Sequence, residues 1–197
     1  DCGIDISECR LFEENGRRHF MTRRFDRLAG GEKLHMLSLC ALAHYDFNMA
    51  GAYAYEQALL VIRQMGLPMS AIEEQFRRMV FNIIARNQDD HVKNIAFLMD
   101  KSGNWSLSPA FDVIYSFNPA GAWTASHQMT LNGKRDDFTM DDFKACAKAA
   151  SMKRGRAGTI INEVRETVSR WKDYAEEAGV PVAVRDQIQR TLRLKSF

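Results

Sequence analysis

The hydrophobic and polar positions of this chain follow a helical period most clearly after Ser70. Apolar side chains recur there at intervals of three and four residues, at Ile72, Phe76, Met79, Val80 and Ile83. Ser70-Ala-Ile-Glu73 has the form of a capping box, in which two side chains satisfy free backbone N–H groups at a helix start. The pattern therefore predicts a helix that begins at Ser70 and leads directly to a polar stretch at Asn87.

Weaker helical patterns occupy much of the remaining chain. We predict further helices over 32–45, 55–65, 139–150, 156–178 and 183–194. Thr139-Met-Asp-Asp142 is a second capping box at the start of one of these helices. Gly179 is expected to close the long helix over 156–178, because glycine readily adopts the left-handed conformation that ends helices.

Two short β-hairpins are predicted between the helices. Runs of β-favouring residues over 9–12 and 19–25 flank Asn15-Gly16, a strong hairpin signal. Residues 95–108 form a second pair of such runs around a polar turn. Irregular segments are expected at 46–54 and 113–135. These patterns predict a mainly α fold with small β-hairpins, without internal repeats or a linker that divides it.

Composition is ordinary for a globular domain. The chain has 197 residues, of which 46% are hydrophobic and 26% charged. Its formal net charge of +2 gives no global case for binding nucleic acid or an anionic membrane. The four cysteines contain no Cys-x-x-Cys pair, so we expect neither a structural disulfide nor zinc. No apolar run is long enough to span a bilayer, and we expect a cytoplasmic protein.

The beginning of the chain is informative in a different way. It opens at Asp1 inside a patterned segment, and its first methionine is Met21. We therefore expect it to be a piece of a longer polypeptide.

The strongest chemical signal is the spacing of three polar residues. Asp89 and Asn94 have the separation found in the catalytic loop of protein kinases, where the Asp accepts the substrate hydroxyl proton and the Asn holds Mg²⁺. Asp112 follows after the predicted hairpin, where a second acidic metal ligand is needed. The spacing predicts a base and a metal site.

Each of these residues also has an ordinary structural interpretation. Asp89, Asp90 and His91 could be solvated loop charges, although they lie between an apolar helix and an apolar strand, where unpaired charge is costly. A single His at position 91 indicates a loop-fixing hydrogen bond more than a zinc ligand. Lys93 could neutralise a phosphate or simply be exposed, and Asp112 after Phe111 could be a turn cap.

The motifs that carry these residues resemble the HipA family of bacterial serine/threonine kinases, the toxin halves of type II toxin–antitoxin modules. The resemblance rests on Arg24-Phe-Asp-Arg27, Asn87-Gln-Asp-Asp-His-Val-Lys-Asn94, Leu107-Ser-Pro-Ala-Phe-Asp112, His127-Gln-Met-Thr and Asn132-Gly-Lys. It implies a protein-kinase-like C-terminal lobe preceded by the last strands of the N-terminal lobe. Residues 1–27 would form those two strands and the hinge, and residues 28–197 the helical lobe.

The same resemblance implies roles for individual residues. Asp89 would be the catalytic base that directs the γ-phosphoryl group of ATP to a serine or threonine hydroxyl. Asn94 and Asp112 would be the Mg²⁺ ligands. The Arg23-Arg24-Phe25 segment would contact adenine, and the remaining side chains of the nucleotide pocket would be His91, Lys93 and Phe111.

One element of such kinases is missing from the sequence. No glycine-rich phosphate loop or pairing lysine can be identified before Arg23. We expect the parent or a partner chain to supply that half, and this chain alone to bind ATP poorly and to have little or no activity.

The resemblance also implies partners. Family members pair with a small helix-turn-helix antitoxin that binds operator DNA, so DNA would be contacted only indirectly, and the known substrate class is aminoacyl-tRNA synthetases. No membrane partner is implied. Two other interpretations stay open: a non-catalytic interaction module with a kinase-like lobe, and a metal-dependent phosphohydrolase built on Asp89, Asp90, His91 and Asp112.

Overall fold

The computed structural model describes residues 1–195 and residue 197. Within these residues the strands are β1 (Cys9–Glu14), β2 (Arg17–Thr22), β3 (His35–Ser38), β4 (Ala96–Met99) and β5 (Trp105–Leu107). The helices are α1 (Leu39–Leu42), α2 (Tyr55–Gln64), α3 (Met69–Ala85), α4 (Met140–Ala149), α5 (Arg156–Ser169), α6 (Trp171–Glu177) and α7 (Val182–Thr191). The described residues thus form a mixed fold of seven helices and two small antiparallel sheets, where the sequence predicted a mainly α fold with small β-hairpins.

The first sheet is the predicted hairpin of β1 and β2. Its antiparallel register runs from Cys9 opposite Thr22 to Glu14 opposite Arg17. Asn15 and Gly16 turn the chain with φ angles of 50° and 73°. A two-residue turn with both φ angles positive matches the twist of the strands, which explains why Asn-Gly stands there. Every residue of both strands is exposed.

The second sheet corrects the prediction for residues 32–45. We expected a helix there, but β3 pairs with β4 through the register His35–Met99 to Ser38–Ala96, and only the single turn of α1 follows. The predicted hairpin of β4 and β5 is confirmed. β4 is largely buried between its two neighbours. The backbone N–H and C=O groups of β4 need hydrogen-bond partners on both sides of the strand. Pairing of residues 35–38 with β4 therefore outweighs the local helical pattern of 32–45.

Helix α3 is the centre of the core. All five apolar residues of its predicted stripe are buried, and α3 packs against α2 and α5. The start of the helix differs from the prediction. It begins at Met69 after Pro68, without a side-chain cap, so the expected capping box at Ser70 is wrong. Glu73 instead pairs with Arg156 of α5, with its Oε2 2.8 Å from Nε.

The capping box at Thr139 is confirmed, and Asp142 lies at its centre. The backbone N–H and the hydroxyl of Thr139 donate to Asp142 Oδ2 at 2.7 and 2.9 Å. Asn132 and Lys134 also donate to this carboxylate, at 2.7 and 2.8 Å. Asp142 therefore ties the start of α4 to the preceding irregular segment.

The long C-terminal helix of the prediction is wrong. The chain breaks at Arg170 into α5 and α6, and the last helix ends at Thr191 rather than at residue 194. Leu192 has an extended conformation with a ψ of 137°, which turns the chain back toward α3. No helix among the described residues is both long and apolar enough to cross a bilayer.

Candidate active site

The loop between α3 and β4 carries the predicted site. Arg86 ends α3 in the left-handed conformation, with a φ of 61°, and this reverses the chain into the loop 87–95. The hydroxyl of Ser116 accepts hydrogen bonds from the backbone N–H groups of Gln88 and Asp89, at 2.7 and 3.0 Å. Asn94 Nδ2 donates to the backbone carbonyl of Asp89 at 3.0 Å. The Asp89 peptide is therefore held from both sides.

The carboxylate of Asp89 remains accessible. Its side chain is 44% exposed, and Oδ1 lies 3.8 Å from Nε2 of His91. That separation is longer than a hydrogen bond. A carboxylate on a fixed backbone, reachable from solvent, can accept a proton from an incoming hydroxyl group.

Asn94 and Asp112 line one small pocket, together with His91 and Phe111. The volume of this pocket is about 30 Å³. The Nδ2 group of Asn94 is occupied by the Asp89 carbonyl, which leaves Oδ1 as the group available to a ligand. Asp112 is exposed and adopts a φ of 53°, an uncommon conformation for a residue other than glycine. Such backbone outliers concentrate at functional sites.

The neighbourhood of Asp112 is fixed by the beginning of the chain. Ala110 donates its backbone N–H to the carbonyl of Asp5 at 2.7 Å. The Asp5 N–H donates to Glu74 Oε1 at 3.0 Å, and that same carboxylate accepts from Arg78 at 2.7 Å. Through these contacts α3 positions the segment that carries Asp112.

Two polar atoms at this pocket are buried without a hydrogen-bond partner among the described residues. They are Nδ1 of His91 and Oε1 of Gln75, both of which belong to residues that line the pocket. Unpaired buried polar atoms are rare and often mark the place of a ligand, an ion or water. The lining includes the Asn94 amide and the Asp112 carboxylate, oxygen-bearing groups of the kind that bind Mg²⁺, an ion that takes few protein ligands and keeps several waters. The residues present therefore fit that ion.

Four of the predicted nucleotide-contacting residues lie outside the lining of the pocket. Arg24 is engaged by Asp26, which it contacts at 2.9 and 2.6 Å, and this hydrogen bonding raises the pKa of Arg24. Lys93 is exposed and lies over the ring of Phe47, 4.0 Å from its centroid. Arg23 is exposed as well.

Phe25 is the hinge residue that comes nearest to the pocket. Its ring centroid lies 5.8 Å from that of Phe111, a pocket residue. The predicted hinge segment therefore reaches the edge of the site through one aromatic contact. The roles assigned to Arg23, Arg24, Phe25 and Lys93 stay predictions.

Asp90 has a different role from its neighbour. Its side chain is fully buried and accepts from the Tyr55 hydroxyl at 2.5 Å, from the Gln128 backbone N–H at 2.7 Å and from His127 Nδ1 at 2.8 Å. Burial raises the pKa of Asp90, but the interaction with His127 and these hydrogen bonds outweigh burial, so its pKa lies below the ordinary value.

The hydrogen-bond network around Asp90 was not predicted from the sequence. His127 is buried, and its Nδ1 lies 2.8 Å from Asp90 Oδ2. The cost of burying charge between an apolar helix and an apolar strand was the signal that Asp90 needs a partner. Nothing in the sequence pointed to Tyr55 or Ser116 as supports of the loop.

The network also bears on the phosphohydrolase interpretation. A two-metal centre would need Asp90 as a ligand, but both of its oxygens are already used by protein donors. Within residues 1–195 and 197, no group of at least three His, Cys, Asp or Glu side chains is placed to hold a metal ion. The geometry disfavours a two-metal hydrolase.

The fold and this loop define the class of protein. The family described as the HipA-like C-terminal domain matches residues 1–171, and the chain belongs to that family.

Two curated relatives come from Sinorhizobium fredii (strain NBRC 101917 / NGR234). The protein named "Putative kinase Y4dM" is 25% identical over 202 residues, which covers 93% of this chain and 47% of the relative. The protein named "Putative kinase Y4mE" is 21% identical over 182 residues, covering 85% of this chain and 43% of the relative. The chain spans about half the length of the curated relatives it matches.

A solved structure shares the fold. It is a complex from Shewanella oneidensis MR-1 of the toxin–antitoxin proteins HipA and HipB with operator DNA. The superposition has a TM-score of 0.76 at 15% identity and covers 96% of this chain and 51% of the other. At that identity the similarity establishes the fold alone.

Proposed function

We propose that residues 1–197 are the C-terminal lobe of a HipA-like protein kinase that transfers the γ-phosphoryl group of ATP to a serine or threonine hydroxyl. The observation that carries the proposal is the joint placement of Asp89, Asn94 and Asp112. Asn94 holds the Asp89 peptide and shares a pocket with Asp112. The membership in the HipA-like family and the kinase names of the relatives support the same conclusion.

In the proposed reaction Asp89 is the catalytic base. The acceptor hydroxyl oxygen forms a bond to the γ-phosphorus, and the bond from that phosphorus to the bridging oxygen breaks, so that ADP leaves. The hydroxyl proton passes to the Asp89 carboxylate. Because the Asp89 peptide is anchored by Ser116 and Asn94, the backbone from which its carboxylate projects is held before the acceptor arrives.

Asn94 Oδ1 and the Asp112 carboxylate are the proposed Mg²⁺ ligands. The ion, when bound, supplies positive charge that neutralises the phosphates. We further propose that His91 and Phe111 line the nucleotide pocket, that Lys93 lies near its rim, and that Arg23, Arg24 and Phe25 contact adenine. The contact between Phe25 and Phe111 supports the proposed position of this segment.

The proposed activity belongs to a protein with two lobes. Residues 1–27, which contain β1 and β2, would be the end of the N-terminal lobe and the hinge, and residues 28–197 the helical lobe. The phosphate-binding loop and lysine would come from outside residues 1–197. The chain alone would then bind ATP weakly and turn over slowly or not at all.

A helix-turn-helix antitoxin is the proposed partner. The support is the structural neighbour, a HipA protein crystallised with HipB and operator DNA. DNA contact would run through that antitoxin, since this chain carries a net charge of only +2. An aminoacyl-tRNA synthetase is the proposed class of protein substrate, and it rests on the family resemblance alone.

The test is phosphoryl transfer from γ-labelled ATP by a protein that joins this chain to an N-terminal lobe. Asp89→Asn should reduce transfer at least about 10²-fold, because the amide cannot accept the proton. Nucleotide affinity should stay within about threefold. Asp173→Asn, an exposed change in α6, is the control and should retain full transfer. Near-normal transfer by Asp89→Asn would rule out the base assignment.

A further inference from the structure

The segment after α7 returns to the end of α3. Arg193 is 5% exposed, and its backbone N–H donates to the carbonyl of Ile84 at 3.0 Å. Its Nη1 donates to the carbonyl of Ile83 at 3.1 Å. Carbonyls in the last turn of a helix have no partner within the helix, and a cation is favoured there. Arg193 thus fastens the segment after α7 to the helix that leads into the loop 87–95.

The same guanidinium group fixes the ring of His127. Nη1 lies 2.8 Å from Nε2 of His127, and Nη2 donates to Asp136. A guanidinium group has donors only, so Nε2 must accept with its lone pair. The ring hydrogen therefore lies on Nδ1, which donates to Asp90 Oδ2 at 2.8 Å. Arg193 thus fixes the same tautomer that the Asp90 carboxylate, an acceptor only, requires at Nδ1.

Asp90 connects His127 to the loop 87–95. Its second oxygen accepts from the Gln128 backbone, and Tyr55 shares Oδ2 with His127. The side chains of Asp90 and His127 are both completely buried. Because Asp90 follows Asp89 directly, fixing the Asp90 side chain restricts the backbone from which the Asp89 carboxylate projects.

We propose that Arg193 is a positioning residue for Asp89, acting through His127 and Asp90. The inference rests on the proposed role of Asp89 as the base. Two sets of hydrogen bonds would then hold the loop 87–95. Ser116 and Asn94 hold the Asp89 peptide, and the bonds that run from Arg193 through His127 hold Asp90. Arg193 lies beyond residues 1–171, the part that the family matches.

The charges around Arg193 are balanced. Burial, and next the positive charge of Arg86, lower its pKa to about 10, while Asp136 and Asp90 oppose that shift. The guanidinium group therefore stays protonated at neutral pH. Arg86 also shares Asp136, with Nη1 3.8 Å from Oδ2, and donates to the carbonyl of Thr191 at 2.7 Å. The buried Asp90 and the cation of Arg193 are thereby kept in one compact, nearly neutral cluster.

If the role of Arg193 were purely structural, this residue would only hold the segment after α7 against α3. That role predicts lower stability on substitution, with the turnover per folded molecule unchanged. The positioning role predicts that the turnover per folded molecule also falls. The variants are Arg193→Met, which removes every donor, and Arg193→Lys, which keeps the charge with a different geometry. Arg190→Met, an exposed change in α7, is the matched control.

The first readout needs no catalytic activity. Nitrogen-15 NMR of the imidazole rings in the chain 1–197 reports which ring nitrogen carries hydrogen. We expect a protonated Nδ1 and an unprotonated Nε2 for His127 in the wild type and in Arg190→Met. In Arg193→Met the Nε2 shift should move, because Nε2 loses the hydrogen bond from Nη1, while Nδ1 stays protonated because the Asp90 carboxylate still accepts from it. A wild-type ring with its hydrogen on Nε2 would overturn the proposal.

The second readout is phosphoryl transfer by the two-lobed protein. Arg193→Met should lower kcat about 10- to 10²-fold per folded molecule, with KM for ATP changed less than about threefold. Arg193→Lys should recover part of the loss. If Arg193→Met does not fold, Arg193→Lys is used in its place. A kcat below the wild-type value then supports the positioning role, and a wild-type kcat contradicts it. A wild-type kcat in the folded variant would overturn the proposal.

The two readouts separate this inference from the proposed function. If the wild-type two-lobed protein transfers no phosphate although the His127 tautomer is fixed by Arg193, the proposed function has failed and the positioning inference falls with it. If transfer is normal but insensitive to Arg193, the proposed function stands and only the positioning role is wrong.

Discussion

Asn94 donates from its Nδ2 to the backbone carbonyl of Asp89, five residues earlier, at 3.0 Å. This bond crosses the loop 87–95 and leaves Oδ1 of the same side chain facing the pocket that Asp112 also lines. An amide is the side chain that suits both tasks, since it offers a donor and an acceptor at once. A carboxylate has no donor and could perform only the second task.

Asn94→Asp separates the two tasks. The carboxylate retains an oxygen for the proposed ion but cannot donate to the Asp89 carbonyl. We expect the free energy of unfolding to fall by about 1–3 kcal/mol and phosphoryl transfer to fall at least about tenfold. Urea unfolding and the transfer assay measure the two effects. Asn162→Asp, exposed on α5, is the control, and equal behaviour of the two variants would contradict the paired role of Asn94.

Ser116 supports the loop from its other side. Ser116→Ala removes the acceptor for the N–H groups of Gln88 and Asp89, which are partly or fully buried. Leaving such donors unpaired should reduce stability by about 1–3 kcal/mol and speed exchange of both amide hydrogens. Hydrogen exchange of the chain 1–197 is the direct measurement. Ser106→Ala, exposed in β5, should leave both amides protected as in the wild type.

The cap at Asp142 predicts a dependence of stability on pH. Burial raises the pKa of Asp142, but hydrogen bonds from Lys134, Asn132 and Thr139 outweigh burial and lower its pKa. A depressed folded-state pKa means that the stabilisation is complete above the unfolded value of about 3.9 and is lost as the pH falls through the folded value. The carboxylate should therefore stabilise the fold at neutral pH and lose that effect in strong acid.

Asp142→Asn should accordingly cost about 1–3 kcal/mol at pH 7, and the difference from the wild type should shrink toward pH 2. Urea unfolding at the two pH values measures it. Asp141→Asn is the matched control, because that side chain is 89% exposed and only pairs with Lys144. It should change stability by less than about 0.5 kcal/mol. A constant difference between pH 7 and pH 2 for Asp142→Asn would contradict the assignment.

The sequence was informative where local chemistry determines structure. Asn15-Gly16 demanded positive φ angles, and the stripe from Ile72 to Ile83 demanded a buried helix, and both are found. The spacing of Asp89, Asn94 and Asp112 led to residues that the fold brings to one end of α3. The first two features depend on contacts within a few residues, whereas the position of Asp112 also depends on the contacts of Asp5 with Ala110 and Glu74.

The failures depend on distant contacts. β3 forms because β4 needs a partner some 60 residues later in the chain, which no local window reveals. Ser70 has the sequence of a cap, but Glu73 is taken by Arg156 of α5. Arg193 could not be connected to His127 from sequence, since the return of the chain depends on the break at Leu192.

The most direct test of the account compares two carboxylates of the proposed site in the two-lobed protein. Isothermal calorimetry of ATP binding, with and without Mg²⁺, is run beside the transfer assay for Asp89→Asn and Asp112→Asn. We predict that Asp89→Asn binds Mg²⁺-dependent nucleotide like the wild type and transfers no phosphate. Asp112→Asn should lose the Mg²⁺-dependent part of the binding. Identical binding by both variants, with transfer intact in either, would contradict the assignment of base and metal ligand.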